Sequence, residues 1–156
     1  MTQPQLKTIT SFNVQGISVR TRNADEGDMA TAKIPALWQQ FYQAHALRQL
    51  GWPHDAPGMY GVYSGYESDM NGLFDVTAAV PASDNPPAAL GQLRIEGGDY
   101  LVFSGHGPMP QTVIEVWGQI WAYFSQATPE FLRRYTTDFE EYRGPEEVAI
   151  HIAVKR

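Results

Sequence analysis

The chain contains no cysteine. That excludes disulfide bonds, thiolate metal sites and a cysteine nucleophile, while leaving the compartment open. Basic residues are also scarce: 11 Lys and Arg stand against 17 Asp and Glu, a net charge of −6. Phosphate-backbone binding relies on clustered Lys and Arg that displace counterions, so direct nucleic-acid binding is not expected. No apolar run approaches the ~20 residues that a membrane helix requires. The opening MTQPQLKTITSF has neither the basic end nor the apolar run of a signal peptide. No membrane association is expected, and the cytoplasm is the expected location.

What the chain has in quantity is aromatic surface. Four Trp, eight Tyr and seven Phe among 156 residues exceed what a core of this size needs. Aromatic rings offer large flat contact area at little entropic cost, so some are expected to face a ligand. The apolar share of 43% and the length are those of one globular domain spanning residues 1–156.

The alternation from Phe12 to Arg22 predicts a strand, ending in a polar loop at Asn23 to Asp28. A helix follows. Pro35 suits its first turn, Trp38, Phe41, Tyr42 and His45 recur at helical spacing, and Gly51 is available to stop it. After a proline-containing loop over 51–58, Tyr60 to Tyr66 and Gly72 to Val80 read as strands, with Phe74, Val76, Ala78 and Val80 on one face. The run PASDNPP, Pro81 to Pro87, reads as a linker, because three prolines in seven residues fit neither a helix interior nor a central strand. Beyond it, Leu93 to Ile95 and Tyr100 to Ser104 flank Gly97-Gly98 as a hairpin would. A second helix begins near Pro110, with Val113, Trp117, Ile120, Trp121 and Phe124 as its apolar stripe. Strands at Arg134 to Tyr142 and Val148 to Val154 close the chain.

Both halves, about 1–81 and 88–156, thus read strand, helix, strand, strand. Leu37-Trp38-x-x-Phe41 is echoed by Ile120-Trp121-x-x-Phe124, Tyr60-x-x-Tyr63 by Phe139-x-x-Tyr142, and Ala79-Val80 by Ala153-Val154. The expected fold is α+β: two pseudo-symmetric modules whose strands join in one antiparallel sheet, with a central ligand groove at the junction.

Ile34-Pro35-x-Leu37-Trp38, Tyr60-Gly61-Val62-Tyr63, Gly98-Asp99-Tyr100-Leu101-Val102-Phe103, Trp117-x-x-Ile120-Trp121 and Asp138-Phe139-Glu140-Glu141-Tyr142 occur in that order. In this the chain resembles the GyrI-like effector-binding domains. That group comprises the DNA gyrase inhibitor protein and the ligand-sensing halves of AraC-type and MerR-type multidrug regulators of bacteria. The resemblance implies a groove that takes lipophilic cations through aromatic rings and a buried acid. No cofactor is expected. Many members carry a helix-turn-helix domain ahead of this one. Here only a short strand is expected before the first helix, so a regulatory role would run through a protein partner, a regulator or gyrase.

Glu140 matches the acid of the family's Phe-Glu-x-Tyr motif. Strand alternation puts it with Tyr142: if Phe139 turns to the helix-covered core, Glu140 and Tyr142 turn to the opposite face, the expected groove. Glu141 is the second choice. A carboxylate among rings loses hydration and gains from a cationic partner. Most Glu side chains are merely surface charges, and aromatic residues at helical spacing are more often core than ligand contacts. Against that background Trp38, Trp117, Trp121, Tyr60 and Tyr63 are the candidate ring contacts, with at least one of Tyr60 and Tyr63 facing the groove. The four His are scattered without metal spacing, so no metal is expected. Gly105-x-Gly107 lacks the remainder of a nucleotide-binding motif, and neither Ser104-Gly105 nor Ser64-Gly65 makes a nucleophile elbow. Three functions fit: a stand-alone binding protein for flat lipophilic cations, as sensor or sponge; a hydrolase with Glu140 as general base; and a protein-interaction module like the gyrase inhibitor.

Overall fold

The computed structural model describes residues 4–43, 59–82 and 90–155. In chain order its elements are β1 (Gln5–Ile9), β2 (Phe12–Thr21), α1 (Asn23–Glu26), α2 (Ile34–Gln43), β3 (Met59–Ser64), β4 (Phe74–Pro81), β5 (Gly91–Ile95) and β6 (Gly98–His106). After these come α3 (Gln111–Phe124), β7 (Leu132–Arg133), β8 (Asp138–Gly144) and β9 (Glu147–Lys155). The strands form an antiparallel sheet in the order β1-β6-β9-β8-β3-β4-β2-β5, with β7 beside β9. The fold is α+β. His45, Gly51 and the 51–58 loop lie outside the described residues, as does the linker from Ser83 to Pro87.

Alternating apolar residues explain how the helices seat. Phe74, Val76, Ala78 and Val80 share a face of β4 and receive Leu37 and Phe41 of α2. Leu101 and Phe103 of β6, with Ile150 and Ile152 of β9, receive Val116 and Ile120 of α3. Val113, Trp117 and Phe124 of the expected stripe pack against this cluster as partly buried neighbours. The alternate residues Val62, Ala79, Phe139 and Ala153 form a third cluster with Val14, Ile95 and Tyr100 on the other face. For that reason β9 is buried on both sides rather than alternating.

Three expectations are corrected. The stretch after β2 is the short helix α1, and its last residue works as a cap: Glu26 accepts the backbone N–H of Lys33 at 2.9 Å and of Ile34 at 3.1 Å, satisfying the open end of α2. The Gly97-Gly98 turn does not make a hairpin. Ile95 pairs with Phe12 and Gly98 with Ile9, so β5 and β6 run to different parts of the sheet. Only Gly98 of the two has positive φ, at 143°, whereas a tight type I′ turn requires it at both central residues. The last strand pair also starts late: β8 begins at Asp138, after Tyr135 has taken a left-handed φ of 55°.

The helices cover the flanks. α2 lies over β2 and β4, and α3 over β6 and β9, leaving the central pair β3 and β8 between them. Among the described residues no helix is long and apolar enough to cross a membrane.

His151 lies in the third cluster, stacked on Phe139 at 4.2 Å and 11°, and is 4% exposed. Burial lowers its pKa from 6.5 to about 4, so the native ring is neutral. The unfolded chain takes up this proton first as pH falls. The neutral ring's stabilisation is therefore present above pH 6.5 and lost between there and about 4. The loss is on the order of 3 kcal/mol. Urea melts of wild type and His151→Leu across this window are expected to show the wild type losing stability more steeply. Parallel pH slopes would show that His151 is not the group responsible.

Candidate functional site

The interval between α2 and α3 is a cleft of about 800 Å³ floored by β3 and β8. Trp38 and Tyr42 of α2, Trp117 and Trp121 of α3, Tyr63 of β3, and Glu140 and Tyr142 of β8 line it. Trp38 meets Tyr142 edge-on at 5.7 Å, and Tyr63 meets Trp117 at 5.1 Å. Trp121 and Ile114 stand at the rim, 44% and 63% exposed.

Glu140 occupies the floor and is 4% exposed. Three neutral donors hold its carboxylate: Trp117 Nε1 donates to Oε2 at 2.7 Å, Tyr63 Oη to Oε2 at 2.8 Å, and Tyr142 Oη to Oε1 at 2.9 Å. Gly61 sits opposite Glu140 in the β3–β8 register. A Cβ at Gly61 would fall 2.5 Å from Glu140 Oε1 and 3.1 Å from Trp38 Cζ2, so only glycine leaves room for the carboxylate in this position. Burial raises the pKa of Glu140, and the three hydrogen bonds oppose the rise. Burial and the neighbouring carboxylate push the Tyr63 and Tyr142 hydroxyls well above their ordinary value, which keeps them as donors.

Two residues earlier on the same face, Asp138 is treated differently. Arg133 donates to its Oδ2 at 2.7 Å, Tyr66 donates to the same oxygen, and the Ala153 amide donates to Oδ1 at 2.8 Å. The Arg133 guanidinium lies 4.5 Å from the Tyr135 ring centroid. One carboxylate therefore has a cation supplied by the chain. Among the described residues, no Lys, Arg or His lies within ion-pair distance of Glu140.

The structure thus brings together Glu140, Tyr142, Tyr63, Trp38, Trp117 and Trp121. Tyr60 is not among them: it faces the other side of the sheet, against Phe12 at 5.6 Å and Phe139 at 5.9 Å. Glu141 shares that other face and pairs with Arg143 at 2.7 Å. The expected orientation is inverted in one respect. Phe139 points away from the helices, and the cleft is on the helix-covered face, because the helices cover the flanks and not the centre. Tyr42, Arg133 and Gly61 went unrecognised as parts of the site; the register that places Gly61 opposite Glu140 is a long-range property. Among the described residues, no three His, Asp or Glu side chains gather as a metal site needs.

The family of integron-associated effector binding proteins, Cass2, matches residues 5–154. The chain belongs to that family. An integron cassette protein from the mobile metagenome of Vibrio cholerae, known from a crystal structure, is 39% identical with a TM-score of 0.86, over 98% of this chain and 96% of that one. The "Putative transcriptional regulator protein YobU" of Bacillus subtilis (strain 168) is 31% identical over 150 residues, 90% of this chain and 91% of its own. SAV2435, solved bound to tetraphenylphosphonium, shares the fold at 21% identity, with a TM-score of 0.76 over 99% of this chain and 94% of that one.

A buried carboxyl with a raised pKa weakens the fold as it ionises: stability is full below its unfolded value and declines as pH rises through its folded value. Glu140→Gln removes that decline and keeps the shape. The variant's Tm relative to wild type is expected to rise between pH 4 and pH 8. A difference that stays flat or falls over that range would mean that ionised Glu140 costs the fold nothing.

Proposed function

We propose that this protein binds lipophilic organic cations in the cleft between α2 and α3, with Glu140 as counter-ion, and acts as a sensor or sequestering module. The observation that carries this reading is a buried carboxylate, ringed by aromatic side chains, with no Lys, Arg or His among the described residues within ion-pair distance of it. Burying an unpaired charge is expensive, and a bound cation offsets the cost. Each ring face in contact with the cation adds about 0.5 to 2 kcal/mol, the upper value where water is excluded. Membership of an effector-binding family and the tetraphenylphosphonium held by SAV2435 support the same chemistry.

The sheet order supports the two-module, single-domain part of the reading. Read outward from the central β8 and β3, the next strands are β9 and β4, then β6 and β2, then β1 and β5, so each module contributes an equivalent strand at every step. The central cleft is then the groove between modules. The regulator name carried by YobU favours a sensing role over simple sequestration. Hydrolysis is less well supported, because three donors already engage the oxygens that a general base would need free.

Calorimetric titration with tetraphenylphosphonium, and with tetraphenylborate as its anionic counterpart of similar shape, tests the role of charge. The wild type is expected to bind the cation and not the anion, and Glu140→Gln to weaken cation binding roughly thirtyfold or more. Affinity is expected to fall as pH drops through the raised pKa of Glu140, since the proton and the ligand compete for one negative charge. Equal binding of cation and anion, or an unaffected variant, would rule out the counter-ion role.

A further inference from the structure

We infer that the cleft selects cations that have no N–H donors, such as quaternary ammonium, phosphonium and charge-delocalised dyes, over protonated amines of the same aromatic body. The inference rests on the cation-binding reading above and concerns how the charge is recognised.

An ionised carboxylate offers about four acceptor positions. In Glu140 Trp117 and Tyr63 occupy both on Oε2, and Tyr142 occupies one on Oε1. Oε1 lies in the space that a side chain at Gly61 would take, 2.5 Å from the position of a Cβ there, and keeps one further acceptor position. The negative charge thus reaches the cleft with at most one of its four acceptor positions left for a ligand. It acts through its field and through the rings of Tyr63, Tyr142 and Trp117, which become more electron-rich as they donate to it. Such a site attracts positive charge but leaves most N–H groups unanswered. Elsewhere the wall is largely apolar, with Met59, Phe74, Met109 and Val113, and the other carboxylate that lines it, Glu26, already accepts from Thr21 and from the Lys33 and Ile34 amides. A primary ammonium entering the cleft gives up three water hydrogen bonds for at most one to Glu140, whereas a quaternary cation has none to lose.

The chain contains its own comparison. Asp138, on the same strand face, receives a donor-rich cation directly from Arg133 at 2.7 Å. There an oxygen is open to a guanidinium. At Glu140 the corresponding positions are filled by indole and phenol groups.

The test uses a matched pair, pyrenylmethyl-trimethylammonium and pyrenylmethylammonium, both cationic at neutral pH, titrated into the full chain. The quaternary ligand is expected to bind at least roughly tenfold tighter. Its extra methyl groups could also favour it through simple burial, so the same ratio is measured in Tyr63→Phe and, separately, in Trp117→Phe, each of which frees one acceptor on Oε2. The preference is expected to shrink several-fold in each variant that folds. A wild-type ratio near one, or a ratio unchanged in both variants, overturns the selectivity while leaving cation binding intact. Binding of neither ligand overturns both readings.

Discussion

The carboxylate of Glu140 and its three neutral donors are the point on which the site depends. Each donor comes from a different place: Tyr63 from β3, Tyr142 from β8 itself, and Trp117 from α3. They converge only because β3 and β8 pair in a register that puts Gly61 beside Glu140, and because α3 is seated by Val116 and Ile120 with Trp117 turned inward. A shift of one residue in that register would turn Glu140 to the opposite face and present Phe139 or Glu141 instead. The packing of the flanks thus sets the chemistry of the centre.

Two neighbouring acids show how the same fold handles buried charge in two ways. Asp138 is neutralised from within by Arg133, has an oxygen bonded to the Ala153 amide, and so ties β8 to β9 and to the segment before it. That arrangement is structural: removing either partner strands the other charge in the interior. Glu140 is hydrogen-bonded but not neutralised. Hydrogen bonds lower the cost of its ionisation, burial raises it, and the net direction is upward. A group held in this condition costs the empty protein stability and recovers it when positive charge arrives, which couples ligand binding to stability.

Much of this was legible in the sequence because the signals were local. Helical spacing found α2 and α3, period-two patterns found β2, β4 and β9, and the Phe-Glu-x-Tyr match located Glu140 and Tyr142. Apart from the short helix α1, most of the errors were in what depends on partners distant in the chain. Gly97-Gly98 carries a hairpin signature, but β1 and β2 offered better partners to β6 and β5. Tyr60 and Tyr63 are both aromatic residues on one strand, and local sequence could not say which face was the cleft. Val116 and Trp117 are adjacent and both apolar; the spacing named Trp117, which packs at the edge of the sheet cluster, and missed Val116, which is buried in it. Arg133 precedes a left-handed Tyr135, and neither the bend nor the pairing with Asp138 has a short-range pattern.

The division of labour within the cleft explains how such a site can be definite about charge and permissive about shape. Glu140 is fixed by three hydrogen bonds, so the electrostatic demand does not adapt. The surfaces around it are rings and Met side chains, which accept flat or bulky apolar bodies without demanding a hydrogen-bond pattern. Exposed Trp121 and Ile114 extend the apolar wall outward beyond the floor. Specificity by hydrogen bonding would have needed free donors or acceptors within the cleft, each costly when unmatched. By engaging its carboxylate with its own rings, the fold keeps three acceptor positions of Glu140 matched in the empty protein.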